Sequence, residues 1–144
     1  MTRFFLGTLA VLATLGGAIW MEGGPLLGLL QASPFLITFF VPSFAVLAIW
    51  NLKTWGQAFR DAFAPASDAK SREVSGKLWD FYEKTCYAAG FLGIVAGAII
   101  ILRSPNTTAG TMAESFSYAL ISPLYAVFFA IVARILRFRI VAGR

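Results

Sequence analysis

The sequence predicts an all-α membrane protein with four transmembrane helices. Apolar residue types make up 58% of its 144 residues and charged types only 13%, more apolar surface than a water-soluble fold of this size can bury. The charges are also bunched, and the long uncharged stretches between them are what insertion into a bilayer requires. These stretches define four spans, with one polar region between the second and the third.

The first span is predicted over residues 4–21, between Arg3 and Glu22. This stretch is at the short end of what a helix needs to cross the hydrocarbon core. A secretory signal peptide is the alternative interpretation. However, residues 16–21 make a poor cleavage site, and Trp20 suits an anchor at the membrane interface. We therefore expect a retained helix.

The second span is predicted over residues 35–50. The breakers Gly23-Gly24-Pro25 and Ser33-Pro34 divide the uncharged stretch after Glu22 into a short external connection and this helix. Pro42 lies inside the span and lacks a backbone N–H, which predicts a kink. Pro123 predicts a second kink in the fourth span.

The polar residues 51–84 predict a short helical hairpin at the membrane surface. Its arms, residues 52–63 and 71–84, are separated by Ala64-Pro65-Ala66-Ser67-Asp68, where a helix would stop and restart. We expect the second arm to continue unbroken into the third span, residues 85–102. A connection rich in breakers, residues 103–110, then leads to the fourth span, residues 115–133. The whole chain is predicted to form a single membrane domain, residues 1–144.

The orientation follows from the basic residues. Of the twelve Lys and Arg residues, eleven lie at the N-terminus, in the hairpin or at the C-terminus, and Arg103 alone lies on the other side. The positive-inside rule places the eleven in the cytoplasm. The N-terminus, the hairpin and the C-terminus are therefore all predicted to be cytoplasmic.

The composition argues against several kinds of function. With no His and the single Cys86, a zinc site, an imidazole acid or base and an intramolecular disulfide lack the residues they need. No cluster of nucleophile, base and metal ligands converges on one membrane face, so neither an enzyme nor a cofactor is expected. Topology and anionic lipid headgroups explain the net charge of +5 better than nucleic-acid binding does.

Small side chains recur every three or four residues on one face of the third and fourth spans. One interpretation is tight helix packing. The other is a pore wall between subunits, in which small and hydroxylated side chains leave room for water and ions. Glu114, at the start of the fourth span, is the candidate for a channel mouth. The pore-lining candidates are Gly90, Gly93, Gly97, Ser115, Ala119, Ser122 and Ala126.

Three runs of residues carry a likeness to a known family. They are Gly-Gly-Ala-Ile-Trp-Met-Glu-Gly-Gly-Pro-Leu at 16–26, Phe-Leu-Gly-Ile-Val-Ala at 91–96 and Tyr-Ala-Leu-Ile-Ser-Pro-Leu at 118–124. In this order they resemble the MotA/TolQ/ExbB proton-channel family, and its flagellar stator members in particular. The chain departs from those members in having a 34-residue hairpin where they have a large cytoplasmic domain. The family's pore-facing Thr positions match Gly97 and Gly110, and its third-span Pro matches Gly90. The hydroxyl ring is therefore missing or has moved to Ser115 or Ser122.

The resemblance implies a homo-oligomer, typically a pentamer, in a bacterial inner membrane. Its third and fourth spans would surround the helices of a dimeric single-span partner similar to MotB, TolR or ExbD, whose intramembrane Asp carries the proton. This answers one puzzle of the sequence, because the chain has no ionisable group at the centre of any span.

The leading hypothesis is thus an ion-conducting, proton-driven subunit of a stator-like rotary motor. Two alternatives remain open. One is a non-conducting oligomeric scaffold of the same fold, in which replacing Ser122 with Leu would leave activity unchanged. The other is a small four-span transporter, which predicts an essential carboxylate deep in the first span, whereas Glu22 lies near its end.

Overall fold

The computed structural model describes residues 6–7, 9–11, 13–14, 16–17, 32–64, 68–103 and 108–142, without the side chains of 109, 111, 113–115, 117 and 118. The chain divides into two compact units, Met1–Ala32 and Ser33–Arg144. The predicted first span belongs to the first unit and lies largely outside the described residues. Those of its residues that are described are helical, and the Thr14 hydroxyl donates to the Ala10 carbonyl at 2.7 Å.

The second unit is built from four helices in its described part. They are α1 (Ala32–Ile49), α2 (Leu52–Phe63), α3 (Ala69–Arg103) and α4 (Ala109–Ala142). By length and apolar character, three segments are able to cross a membrane: α1, α3 and the part of α4 from Ala119 to Ala142. These helices identify a multi-pass membrane protein whose described elements are all α-helical.

The first helix of this unit, α1, begins three residues earlier and ends one residue earlier than the second predicted span. Its buried residues recur every four positions, at Pro34, Thr38, Pro42 and Val46. The helix continues through Pro42, and α4 likewise continues through Pro123. A kink at either residue therefore stays a prediction.

Aromatic rings hold α1 against its neighbours. Phe35 meets Tyr125 and Phe129 edge to face, with ring centroids 6.1 and 5.8 Å apart. At the other end of the helix, Trp50 meets Phe81 at 5.5 Å. Large rings separate the backbones of α1 and α4, whereas glycines on α3 let the backbones of α3 and α4 approach closely. The backbone of α1 therefore lies farther from α4 than the backbone of α3 does.

Local sequence signals explain why α2 begins and ends where it does. The Asn51 side chain accepts a hydrogen bond from the Thr54 backbone N–H at 2.8 Å, which caps the first turn. Ala64 takes an extended conformation after the last turn, as expected of a residue that precedes a proline. The bounds of α2 are those that the sequence predicts for the first arm of the hairpin.

The two longest helices, α3 and α4, extend past the apolar spans. The polar second arm and the third span form one continuous helix of 35 residues, as predicted. At 1.5 Å per residue its length is about 52 Å, well beyond the hydrocarbon thickness of about 30 Å. The fourth span was predicted over residues 115–133, whereas α4 runs from Ala109 to Ala142.

Together with α2, the polar parts of α3 and α4 form a three-helix bundle that we call the stem, residues 52–63, 69–84 and 134–142. Trp55 contacts Tyr82, and the Trp79 indole donates to the Ala58 carbonyl at 3.3 Å. The two helices are therefore antiparallel, and α2 extends along α3. They form the two arms of a helical hairpin, and the second arm is continuous with the third span.

Candidate functional site

One antiparallel register holds α3 against α4 along most of their length. Gly97 lies against Ala119, Gly90 against Ala126 and Gly76 near Val141. Between these points, Glu83 pairs with Arg134 and Asp80 with Arg137. The contact has an apolar part between residues 90–97 of α3 and 119–126 of α4, which we call the seam. It also has a charged part in the stem.

The seam is formed by the small residues that the sequence singles out. A Cβ atom added at Gly90 would lie 2.5 Å from the Ala126 Cβ, and one added at Gly97 would lie 2.6 Å from the Ala119 Cβ. At Gly93 the added atom would lie 2.5 Å from the Ser122 Oγ. These distances are too short for any side chain on α3, so the helices touch where glycine lets their backbones approach.

The structure therefore brings together six of the seven pore-lining candidates within one chain. Ala119, Ser122 and Ala126 are buried, as are Gly90 and Gly93. Tight packing accounts for all six, and a lumen along them would require α3 and α4 to separate. The seventh candidate, Ser115, and the channel-mouth candidate Glu114 belong to α4, but their side chains lie outside the described part of the chain.

The charged part of the contact lies just beyond the apolar spans. Arg137 Nη1 lies 2.5 Å from Asp80 Oδ1, and Lys84 Nζ lies 2.7 Å from Asp80 Oδ2. The hydrogen bond from Lys84, with the positive charges of Arg137 and Lys84, holds the pKa of Asp80 below its usual value despite the opposing effect of burial. Arg137 therefore fastens α4 to α3, whereas Lys84 pairs with Asp80 within α3.

The pair formed by Glu83 and Arg134 is more buried on one side than the other. Arg134 Nη2 lies 2.8 Å from Glu83 Oε1, and the Glu83 side chain is only 5% exposed. Its second oxygen, Oε2, is buried without a hydrogen-bond partner among the described residues. A buried carboxylate that is only half satisfied is costly, so the arginine matters to the site more than a surface charge would.

The sequence patterns described above do not predict these ion pairs. They use the C-terminal arginines to infer the orientation of the chain and assign no partner to the acidic residues of the hairpin. The available signal was the spacing of charges just past the apolar stretches, Asp80 and Glu83 on one helix and Arg134 and Arg137 on the next. In adjacent antiparallel helices such charges come to the same level.

A buried carboxylate joins α2 to α3 in the stem. Asp61 accepts hydrogen bonds from Gln57 at 2.8 Å, Ser71 at 2.8 Å and Ser75 at 2.7 Å. An open groove of about 490 Å³ runs beside this network, lined by Asn51, Lys53, Thr54, Gln57, Asp68, Lys70, Ser71, Val74 and Ser75. The described residues contain no group of three Cys, Asp or Glu side chains arranged to hold a metal ion.

Comparison of the chain with models of protein families, with curated proteins and with solved structures found no match. The likeness to the MotA/TolQ/ExbB family therefore depends on the three runs of residues described above. Two of these runs, at 91–96 and 118–124, meet in the structure where Gly93 lies against Ser122.

Proposed function

We propose that the chain is an ion-conducting subunit of a MotA/TolQ/ExbB-like stator or rotary motor in a bacterial inner membrane. The observation that carries the proposal is the contact between Gly93 and Ser122. Each residue belongs to one of the runs that resemble the family, and the two runs form a single packed element. Two separate likenesses are thus explained by one structural unit.

The carrier of the proton lies on the partner in this proposal. Residues 85–102 and 119–133 contain no Asp, Glu, Lys or Arg, and ion and proton pathways usually need an ionisable group within the membrane. A dimeric single-span protein with an intramembrane Asp supplies that group. The chain supplies a homo-oligomeric ring, a pentamer by the resemblance, and binds the membrane lipids around it.

The ion path runs outside the seam in this arrangement. Ser122 and Ala126 are occupied by their contacts with α3, so the wall is formed where neighbouring subunits and the partner's helices meet. The packed α3–α4 pair then acts as a rigid lever that extends into the cytoplasmic stem. Ion flow turns the ring against the partner, and the lever transmits this rotation as mechanical work.

A specific observation favours a second candidate, a non-conducting oligomeric scaffold of the same fold. The seam explains the small residues of α3 and α4 by packing alone. A scaffold would use the same ring and stem to hold partners in place without passing ions.

The first experiment determines the symmetry and mass of the purified protein in mild detergent, with and without a co-expressed single-span protein that has an Asp early in its span. A fivefold ring enclosing two partner helices supports both candidates. A monomer or a simple dimer contradicts both, because neither can build a wall around partner helices.

Proton flux in proteoliposomes then separates the channel from the scaffold. A ring that passes protons only with the partner supports the channel, and a ring that passes none supports the scaffold. Ser122→Leu is a poor probe, because the larger side chain would collide with Gly93. Ser122→Ala and Ser115→Ala are better, since they remove only the hydroxyl. We expect Ser122→Ala to leave flux unchanged and Ser115→Ala to lower it.

A further inference from the structure

An exposed stripe runs along α4 on the side away from the seam. Its residues recur at alternating steps of four and three, at Leu120, Leu124, Val127, Ile131, Arg134, Phe138 and Val141. Leu124 is half-buried and the others are exposed. Alternation of this kind keeps one face of a helix directed at a neighbouring helix.

Lipid can cover only the part of this stripe that lies within the predicted fourth span, from Leu120 to Ile131. Phe138 is 73% exposed and Val141 is 66% exposed, and both lie in the stem among charged residues. Asp80 pairs with the residue next to Phe138, and Val141 lies near Gly76. Large apolar side chains exposed beyond the membrane in this way mark a surface that binds another protein.

The one charged residue of the stripe, Arg134, forms an ion pair within its own chain. Arg134 lies between Ile131 and Phe138, but its guanidinium is held by Glu83 on α3. The aliphatic part of the arginine therefore remains in the stripe while its charge is paired. The apolar face is continuous from the membrane into the stem.

A matching apolar surface lies on α2. Leu52 is 72% exposed and Phe59 is 39% exposed, whereas the buried residues of α2 are Ala58, Asp61 and Ala62. Phe59 contacts Trp79, one residue from the Asp80 that pairs with Arg137. Phe59 and Phe138 therefore lie at the same height of the stem on different helices.

We propose that the stripe on α4 binds a second copy of this chain, with Phe138 packing against Phe59 and Ile131 against Leu52 of that copy. Symmetry about an axis along the stem preserves the height of every residue, so the two surfaces meet at the same level. An interface between two different faces repeats around the axis and closes into a ring. The inference rests on the homo-oligomer of the proposed function but not on ion conduction.

Cysteine cross-linking in native membranes tests this interface. In a Cys86→Ala background, the double variant Phe59→Cys/Phe138→Cys should give dimers, trimers and larger species with a short thiol cross-linker, because each copy joins a different neighbour at each site. The matched control is Arg60→Cys/Phe138→Cys. Arg60 is exposed next to Phe59 on the same helix but faces another direction, so this control should give no ladder.

Other outcomes would overturn the proposal. Dimers from Phe138→Cys alone would show that the stripe packs on itself about a twofold axis. A ring seen in detergent without cross-linking at 59 and 138 would contradict the proposed interface and leave the stripe to a different protein. A ladder without proton flux would contradict ion conduction but support the interface. Proton flux without a ladder would support ion conduction but contradict the interface.

A second variant tests the same surface without cross-linking. Phe138→Asp should abolish the oligomer and leave the helix content unchanged, because Phe138 contributes little to the fold of one chain. Oligomers that persist in this variant would contradict the proposal.

Discussion

Arg134 on α4 forms an ion pair with Glu83 on α3, yet the arginine side chain is 69% exposed and the glutamate only 5%. The two members of the pair are therefore not equivalent. Removing the arginine leaves a buried carboxylate without its cation, whereas removing the carboxylate leaves an arginine that water can solvate.

This asymmetry gives the first prediction. Arg134→Gln should lower the free energy of unfolding by about 1–3 kcal/mol, the cost of a buried group left unsatisfied. Glu83→Gln should cost less, and Glu83→Gln/Arg134→Gln should be more stable than Arg134→Gln alone. Denaturant unfolding in detergent measures all three. Equal losses for the two single variants would show that the buried carboxylate does not depend on its partner.

The second prediction compares two glycines. Gly93→Ala should cost about 1–3 kcal/mol, because the new methyl group would overlap Ser122 in a closely packed contact. Gly56 is exposed on α2 with nothing within 4 Å of an added Cβ, so Gly56→Ala should stabilise the helix by about 0.5–1 kcal/mol.

A compensating change at Ser122 checks the cause of the first effect. Gly93→Ala/Ser122→Gly returns the lost space on the opposite helix and should recover part of the stability. If the double variant is no more stable than Gly93→Ala, the overlap with Ser122 is not the source of the loss.

The third prediction concerns the buried carboxylate of the stem. Asp61→Ala removes the acceptor for Gln57, Ser71 and Ser75, and buried donors left without partners cost about 1–3 kcal/mol. We expect faster hydrogen exchange in α2 and unchanged exchange in the part of α3 that follows Thr85. Lys53→Ala, an exposed change on the same helix, should affect neither. Equal exchange in Asp61→Ala and the parent would show that other contacts fix α2.

The parts of the fold that local signals determine were predictable from the sequence. Asn51 and Pro65 mark the ends of α2, and the absence of proline between Lys70 and Leu102 predicts one long α3. The extension of α4 to Ala142 was not predicted, because the span was ended at the last residue before Arg134. The helix continues there since Arg134 and Arg137 pair with α3.

The candidate site was predictable only as a set of faces. Periodicity identifies the small face of α3 and that of α4, but it does not show what each face contacts. The distances at Gly90, Gly93 and Gly97 show that the two faces contact each other. The ion pair at Glu83 depends on how α3 and α4 are aligned with each other, which the sequence pattern of either helix alone does not determine.

The last prediction tests the orientation inferred from the basic residues. Lys77 and Thr108 are exposed and lie on opposite sides of the apolar part of α3, whose 18 residues from 85 to 102 span about 27 Å. In a Cys86→Ala background, Lys77→Cys should react with a membrane-impermeant thiol reagent only from the cytoplasmic side, and Thr108→Cys only from the other side. The comparison uses vesicles of both orientations.

Cys86 must be replaced because it is the one native thiol, although its burial already limits its reactivity. Labelling of both positions from the same side would mean that α3 does not cross the membrane. Labelling of Lys77→Cys from the external side alone would reverse the orientation and place the stem outside the cell. Both results would contradict a lever that carries work into the cytoplasm, because such a lever needs α3 to cross and its stem to be inside.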